Sequence, residues 1–209
     1  MEKYHKIQTV YLRDPETKFR TLLDGQWALP EFEYLAENEW IFTEKIDGTN
    51  IRIDWNCEKV SIGGRTDNAQ IPAFLVVKLM DIFPADKFIG LYPELPMTIY
   101  GEGYGAKIQK GGGNYIPDGV DFIAFDVLIN GNYQERKDLE DIAGKLGVDV
   151  VPVVGVGSLR GAVEYVREGF NSYIGTQEAE GLVMRPATEL RSRTGQRIIS
   201  KIKHKDFAK

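Results

Sequence analysis

The stretch Glu44-Lys45-Ile46-Asp47-Gly48-Thr49-Asn50 decides how the rest of this 209-residue sequence is read. It lies between two runs of strand character, Trp40 to Thr43 and Ile51 to Trp55, the second alternating apolar with polar as a half-buried strand does. A lysine there stands beside a polar, glycine-containing break, where a sheet edge can present its ammonium to a cleft. An amine attacks only after its proton is lost, which desolvation or neighbouring positive charge promotes. Asp47-Gly48 is also a strong turn dipeptide, so a plain hairpin is the competing reading.

Working outward, Val60-Ser61-Ile62 reads as a partner strand running into Gly63-Gly64-Arg65-Thr66, where glycines permit close backbone approach and an arginine follows. Ile71 to Phe83 has helical spacing, with Phe74, Val77, Leu79 and Ile82 on its expected apolar face and Pro72 near its start. Met97 to Tyr100 reads as a buried strand entering Gly101-Glu102-Gly103-Tyr104-Gly105, whose spacing fits no phosphate-loop fingerprint. Lys107 to Asp118 reads as a loop. Val120 to Asn130 reads as a mostly apolar strand containing Phe125 and Asp126.

Glu135 to Leu146, closed by Gly147, and Ser158 to Glu168, opened by an N-cap serine and closed by Gly169, read as helices. A short strand is expected between them at Val150 to Val154. Glu180 to Pro186 reads as a strand entered from a turn. Arg197 to Lys203 alternates, placing Lys201 and Lys203 on one face. Residues 1–39 carry few motifs. Tyr4, Ile7, Val10, Tyr11 and Leu12 are read as local packing, with short helices expected within Pro15 to Leu23 and over Glu31 to Ala36.

The totals set bounds. Charged residues at 27% and hydrophobic ones at 43% suit a globular protein. No apolar run is long enough for a membrane span, and no secretory signal is visible. One cysteine, Cys57, cannot form an internal disulfide, and with only two histidines a zinc site is not expected. An intracellular setting, cytoplasmic or in a virus-infected host cell, is the expectation. With no repeat or linker, residues 1–209 read as one domain. Net charge is −5, but eight basic residues against two acidic ones make Arg185 to Lys209 a +6 segment, leaving −11 elsewhere. Such a basic segment on an acidic body marks a local anion site.

Singly, each of these signals also fits a turn, a core position or a solvated face. Their order is informative: Lys45-x-Asp-Gly, Ser61 to Thr66, Tyr100-Gly-Glu-Gly, Phe122-x-x-Phe-Asp, Glu180-Gly-Leu-Val-Met-Arg-Pro and Lys201-x-Lys. That ordered set, spanning residues 44 to 203, resembles the covalent nucleotidyltransferases: ATP-dependent DNA ligases, RNA ligases and mRNA capping enzymes. The variants Glu-Lys-Ile-Asp-Gly-Thr-Asn, Gly-Glu-Gly and Glu-Gly-Leu-Val-Met-Arg-Pro look most like RNA ligases that seal nicks in duplex RNA during RNA repair.

The resemblance implies an α+β nucleotidyltransferase domain (an ATP-grasp-like ligase), antiparallel sheets with flanking helices, and the nucleotide held between the sheets. It implies that Lys45 attacks the α-phosphorus of ATP to give lysyl-AMP. AMP then passes to a 5′-phosphate, and a 3′-OH displaces it. Lys201 and Lys203 would assist by favouring the neutral amine and stabilising charge on phosphate.

By position, Glu44 and Ile46 would offer backbone contacts to the adenine edge. Phe125 would stack on one adenine face and Val183 cover the other. Asn50 and Arg65 would hold the ribose and phosphate side, and Glu102 the ribose hydroxyl. Glu180, with Glu102, would hold Mg2+ or Mn2+, partly through water. Asp126 would support the pocket. The expected partner is nicked duplex RNA, or an RNA/DNA hybrid, with a 5′-phosphate, bound by a monomer.

Where some RNA ligases carry histidine this chain has Asp47, as DNA ligases do, so a minimal ATP-dependent DNA ligase is the nearest alternative. A capping guanylyltransferase would use GTP, and an inactive nucleotide- or RNA-binding module would keep the fold without chemistry. Only six residues follow Lys203, where DNA ligases and capping enzymes append an OB domain and related RNA ligases a helical one. The expectation is a catalytic domain alone that grips the nick through Arg185, Arg191, Arg193, Arg197 and Lys205.

Overall fold

Trp40–Glu44 and Thr49–Trp55, the strands flanking the lysine stretch, do not pair with each other; they enter different sheets. The hairpin reading is therefore excluded. Gly48 is required there by crowding: a Cβ on it would lie 2.4 Å from the carbonyl oxygen of Gly103.

The computed structural model describes residues 2–207, so Lys209 of the basic segment lies outside the described residues. In chain order the elements begin with β1 (Gln8–Thr9), β2 (Tyr11–Arg13), β3 (Leu22–Trp27), α1 (Pro30–Tyr34) and β4 (Trp40–Glu44). There follow β5 (Thr49–Trp55), β6 (Val60–Gly64), α2 (Ala73–Ile82), α3 (Ala85–Leu91), β7 (Met97–Gly105), β8 (Val120–Ile129) and β9 (Asn132–Tyr133). The chain continues through α4 (Arg136–Leu146), β10 (Asp149–Val150), β11 (Val153–Gly157), α5 (Leu159–Glu168), β12 (Gly181–Pro186) and β13 (Ser200–Lys203). The architecture is α+β with mostly antiparallel sheets; the parallel pairs are β1 with β13 and β10 with β8.

The chain groups into two units. One takes the N-terminal residues up to His5 together with Asp47–Val151; the other takes Lys6–Ile46 and the chain from Pro152 onward. In the first, strands run in the order β10-β8-β7-β5-β6, with β9 alongside β8. Ile51, Ile53, Trp55, Ile99 and Val127 on one sheet face pack against Leu75 and Leu79 of α2, Phe88 of α3 and Leu139, Ile142 and Leu146 of α4. In the second, the order is β1-β13-β12-β4-β11, with β2 and β3 as a separate pair. Trp40, Phe42, Leu182, Met184 and Ile202 pack against Leu159, Ala162, Val163 and Val166 of α5. Fully burying an aliphatic or aromatic side chain is worth about 1.5–3 kcal/mol, so these two stripes are the main source of stability.

The helix signals of α4 and α5 were placed well by sequence. Ser158 Oγ accepts the Gly161 N–H at 3.0 Å, and Gly147 adopts the left-handed conformation that closes α4. Other expectations are corrected. In α2 the buried residues are Leu75 and Leu79, whereas Phe74 and Val77 face solvent: an apolar run allows more than one stripe. Pro15 to Leu23 forms turns leading into β3, with Lys18 and Phe19 at positive φ, a conformation no helix continues. The single strand expected at Val150 to Val154 is two strands in two sheets, β10 and β11, separated by Pro152, which has no N–H to give a ladder. The C-terminal strand starts at Ser200 rather than Arg197. Among the described residues, no helix is long and apolar enough to cross a membrane.

Candidate active site

Lys45 follows β4 directly and is locked to its neighbour strand by its backbone: its N–H donates to the carbonyl of Gly181 at 2.9 Å. Gly181 has φ +150°, and a Cβ there would stand 2.1 Å from the carbonyl oxygen of Ile202, so only glycine fits. This seam places Glu180, just before β12, beside Lys45. Lys45 Nζ donates to Glu180 Oε2 at 2.5 Å and Lys203 Nζ reaches Glu180 Oε1 at 2.5 Å. The carboxylate side chain is 11% exposed and both lysines 21%. Burial alone would push the Glu180 carboxyl up, but Lys45 and Lys203 outweigh it and hold the group below the usual carboxylate range.

The register extends the same face. Gly181 pairs with Lys203 and Val183 with both Lys201 and Thr43, while Leu182 and Met184 point into the core. Strand alternation therefore puts Val183, Lys201 and Lys203 on one face of β12 and β13.

Glu44 is the last residue of β4. Its backbone N–H is already given to the carbonyl of Pro152, and its buried carboxylate accepts from Ser172 Oγ at 2.6 Å and from the Tyr173 N–H at 2.8 Å. Burial pushes its carboxyl above the usual range, the two donors offsetting only part of that. Glu44 thus ties the segment after α5 to the residue preceding Lys45. Sequence reading missed Ser172 and Tyr173, for which Asn171-Ser172 offers no more than a turn signal. Ile46 is buried.

In the other unit, Asn50 on β5 and Glu102 on β7 are direct cross-strand partners. Asn50 Oδ1 is buried without a hydrogen-bond partner among the described residues, an arrangement that costs free energy unless a ligand donates to it. Phe125 occupies a β-bulge: Ala124 pairs with Gly101 and Asp126 with Tyr100, which leaves Phe125 as the extra residue. Asp126 is buried. Arg65, one residue beyond β6, is exposed. Of the basic residues assigned to phosphates, Arg191, Arg193 and Lys205 are exposed and Arg185 half-buried. Arg197 is corrected: its side chain is 2% exposed and forks onto both oxygens of Glu189, so it is no surface contact.

Among the described residues no three His, Cys, Asp or Glu side chains converge as a metal cage. A depressed carboxylate such as Glu180 suits magnesium or manganese arriving with phosphates, since such ions use one or two carboxylates and keep several waters.

The RNA ligase family model matches residues 38–203. The chain belongs to the RNA ligase family. No curated protein matches it. Among solved structures it is similar to Naegleria gruberi RNA ligase, including an apo mutant (TM-score 0.71, 16% identity, covering 99% of this chain and 56% of that one). The same enzyme with PPi gives 0.67, 19%, 97% and 56%, and a mutant with AMP and Mn gives 0.69, 17%, 97% and 56%. At such identities the likeness is one of fold. The chain spans about half the length of those enzymes (56%). Within the RNA ligase family match fall every residue assigned above to nucleotide or metal, from Glu44 to Lys203.

Proposed function

We propose that this chain is an ATP-dependent RNA ligase that seals 5′-phosphate and 3′-OH ends in nicked duplex RNA or an RNA/DNA hybrid. The observation that supports this best is the triad Lys45–Glu180–Lys203, in which one carboxylate bridges two ammonium groups. Glu180 is paired with the Lys45 ammonium, which has no lone pair. Attack needs the carboxylate charge drawn off and the amine left beside the positive charge of Lys203. Glu180 would hold a divalent cation, partly through water, which would supply that counter-charge and neutralise phosphate oxygens when bound. That the Naegleria enzyme was solved with ATP and Mn, with AMP and Mn and with PPi supports the same choice of nucleotide and metal here.

The neutral Lys45 Nζ attacks the α-phosphorus, the bond to the bridging oxygen breaks, and pyrophosphate leaves with the electron pair. The amine proton passes to solvent. Lys201 and Lys203 stabilise the charge that builds on the phosphates. Next, a 5′-phosphate oxygen displaces the lysine from AMP, and the nitrogen takes up a proton. Finally the 3′-oxygen attacks the adenylated 5′-phosphorus, losing its proton as AMP departs. Asn50, Arg65, Glu102 and Phe125 in one unit, and Val183 with backbone groups of Glu44 and Ile46 in the other, are the residues assigned to the adenosine. Incubation with ATP and magnesium should add the mass of one AMP, and Lys45→Ala should abolish it. No adduct, or an adduct surviving Lys45→Ala, overturns the reading.

A further inference from the structure

Phe125 is the extra residue of the bulge between β7 and β8, and the direction of its ring is set by what packs against it. The candidate is Tyr4, from a segment that sequence reading assigned only to local packing. Tyr4 is buried, and its hydroxyl donates to Asp126 Oδ2 at 2.5 Å. Its ring meets the Phe125 ring edge-on, centroids 5.0 Å apart at 67°. Tyr100 and Tyr133 close around it at 5.0 and 6.0 Å. The segment itself is pinned: Tyr100 donates to the carbonyl of Glu2 at 3.1 Å, and His5 Nδ1 lies 3.2 Å from the Tyr133 hydroxyl. One side chain thus clamps the bulge twice, through the residue after Phe125 and through the Phe125 ring.

We propose that Tyr4 is a positioning residue that holds Phe125 as the flat platform for the adenine ring. This rests on the nucleotide-binding reading of Phe125. Edge-to-face packing and a buried hydrogen bond each carry modest energy, so loss of the clamp acts on ATP binding and leaves the reacting amine untouched.

The test is single-turnover adenylation of the full chain over a range of ATP concentrations. Tyr4→Phe, which keeps the ring, should raise the half-saturating ATP concentration about twofold to tenfold, with the rate at saturation unchanged. Tyr4→Leu should raise it further. Phe125→Leu combined with Tyr4→Leu should be no worse than Phe125→Leu alone, because a residue acting through Phe125 has nothing left to position. If Phe125→Leu weakens ATP use but both Tyr4 variants match the unaltered chain, or if the double variant is additive, the Tyr4 proposal fails and the platform reading stands. If Phe125→Leu itself changes nothing while Lys45 is still adenylated, the platform reading fails and the proposal falls with it. Thermal unfolding of each variant separates loss of fold from loss of clamp, and Tyr4→Phe carries the decision should Tyr4→Leu unfold.

Discussion

Lys45 reaches Glu180 from the neighbouring strand at 2.5 Å, while Lys203 reaches the other oxygen of the same carboxylate from the strand beyond. Three adjacent strands, β4, β12 and β13, each deliver one charged group to this point. Lys203→Ala should therefore lower the rate of Lys45 adenylation by about 10²–10³, the range seen when one preorganised charge-stabilising group is removed. Single-turnover labelling with α-labelled ATP measures it. An unchanged rate would exclude Lys203 from the chemistry.

The Glu180 carboxyl is held low by its two lysines despite burial. The unfolded chain then binds more protons than the folded one below the ordinary carboxylate range, so stability rises with pH there. The contribution is present above the unfolded value and is lost as pH falls through the folded one. Denaturant titrations at neutral pH and through the acid range should show a loss of stability on acidification that Glu180→Gln reduces. An identical pH dependence in that variant would contradict the pairing.

Glu44 should behave in the opposite sense. Burial raises its carboxyl, so its contribution is fully present below the unfolded value and is lost as pH rises through the folded one. Glu44→Gln should accordingly be least destabilising, relative to the unaltered chain, at neutral pH and most so in acid. The comparison uses the same titrations, and a penalty that grows towards neutrality would show that the carboxylate is favoured where it sits.

Gly181 offers a test of the seam that positions Lys45. Its φ of +150° and the closeness of the Ile202 carbonyl oxygen to where a Cβ would stand leave no room for a methyl group. Gly181→Ala should destabilise the chain by about 1–3 kcal/mol from backbone strain alone, with the clash in addition. Adenylation should fall as well, because the Lys45 N–H bond to Gly181 is displaced. A fully active, fully stable variant would mean that the seam can relax at no cost.

Local chemistry made much of this legible. Ser158 and Gly147 state where α5 begins and where α4 ends because capping depends on one residue and its immediate neighbours. The alternation around Ile202 likewise puts Lys201 and Lys203 on one face. What sequence does not carry is pairing at distance. Asp47-Gly48 looks like a hairpin until β4 and β5 are seen in separate sheets, and Val150 to Val154 looks like one strand until Pro152 divides it. Arg197 looks like a surface cation because its partner, Glu189, lies across a turn. Tyr4 is 122 residues from the carboxylate it serves, and no spacing rule connects them.

Asn50 separates folding from binding. Its Oδ1 is buried with no hydrogen-bond partner among the described residues, on the strand position directly opposite Glu102. A buried acceptor without a donor costs roughly 1–3 kcal/mol, so the ligand-free chain bears a penalty that a nucleotide hydroxyl can relieve. Asn50→Ala removes the penalty along with some packing, and the two effects offset. The variant should unfold within a few degrees of the unaltered chain without ATP. With ATP present it should gain much less thermal stabilisation, because the ligand no longer finds its acceptor. Thermal unfolding with and without ATP and magnesium reads both effects at once. A large loss of stability without ligand would assign Asn50 to the fold instead of the nucleotide.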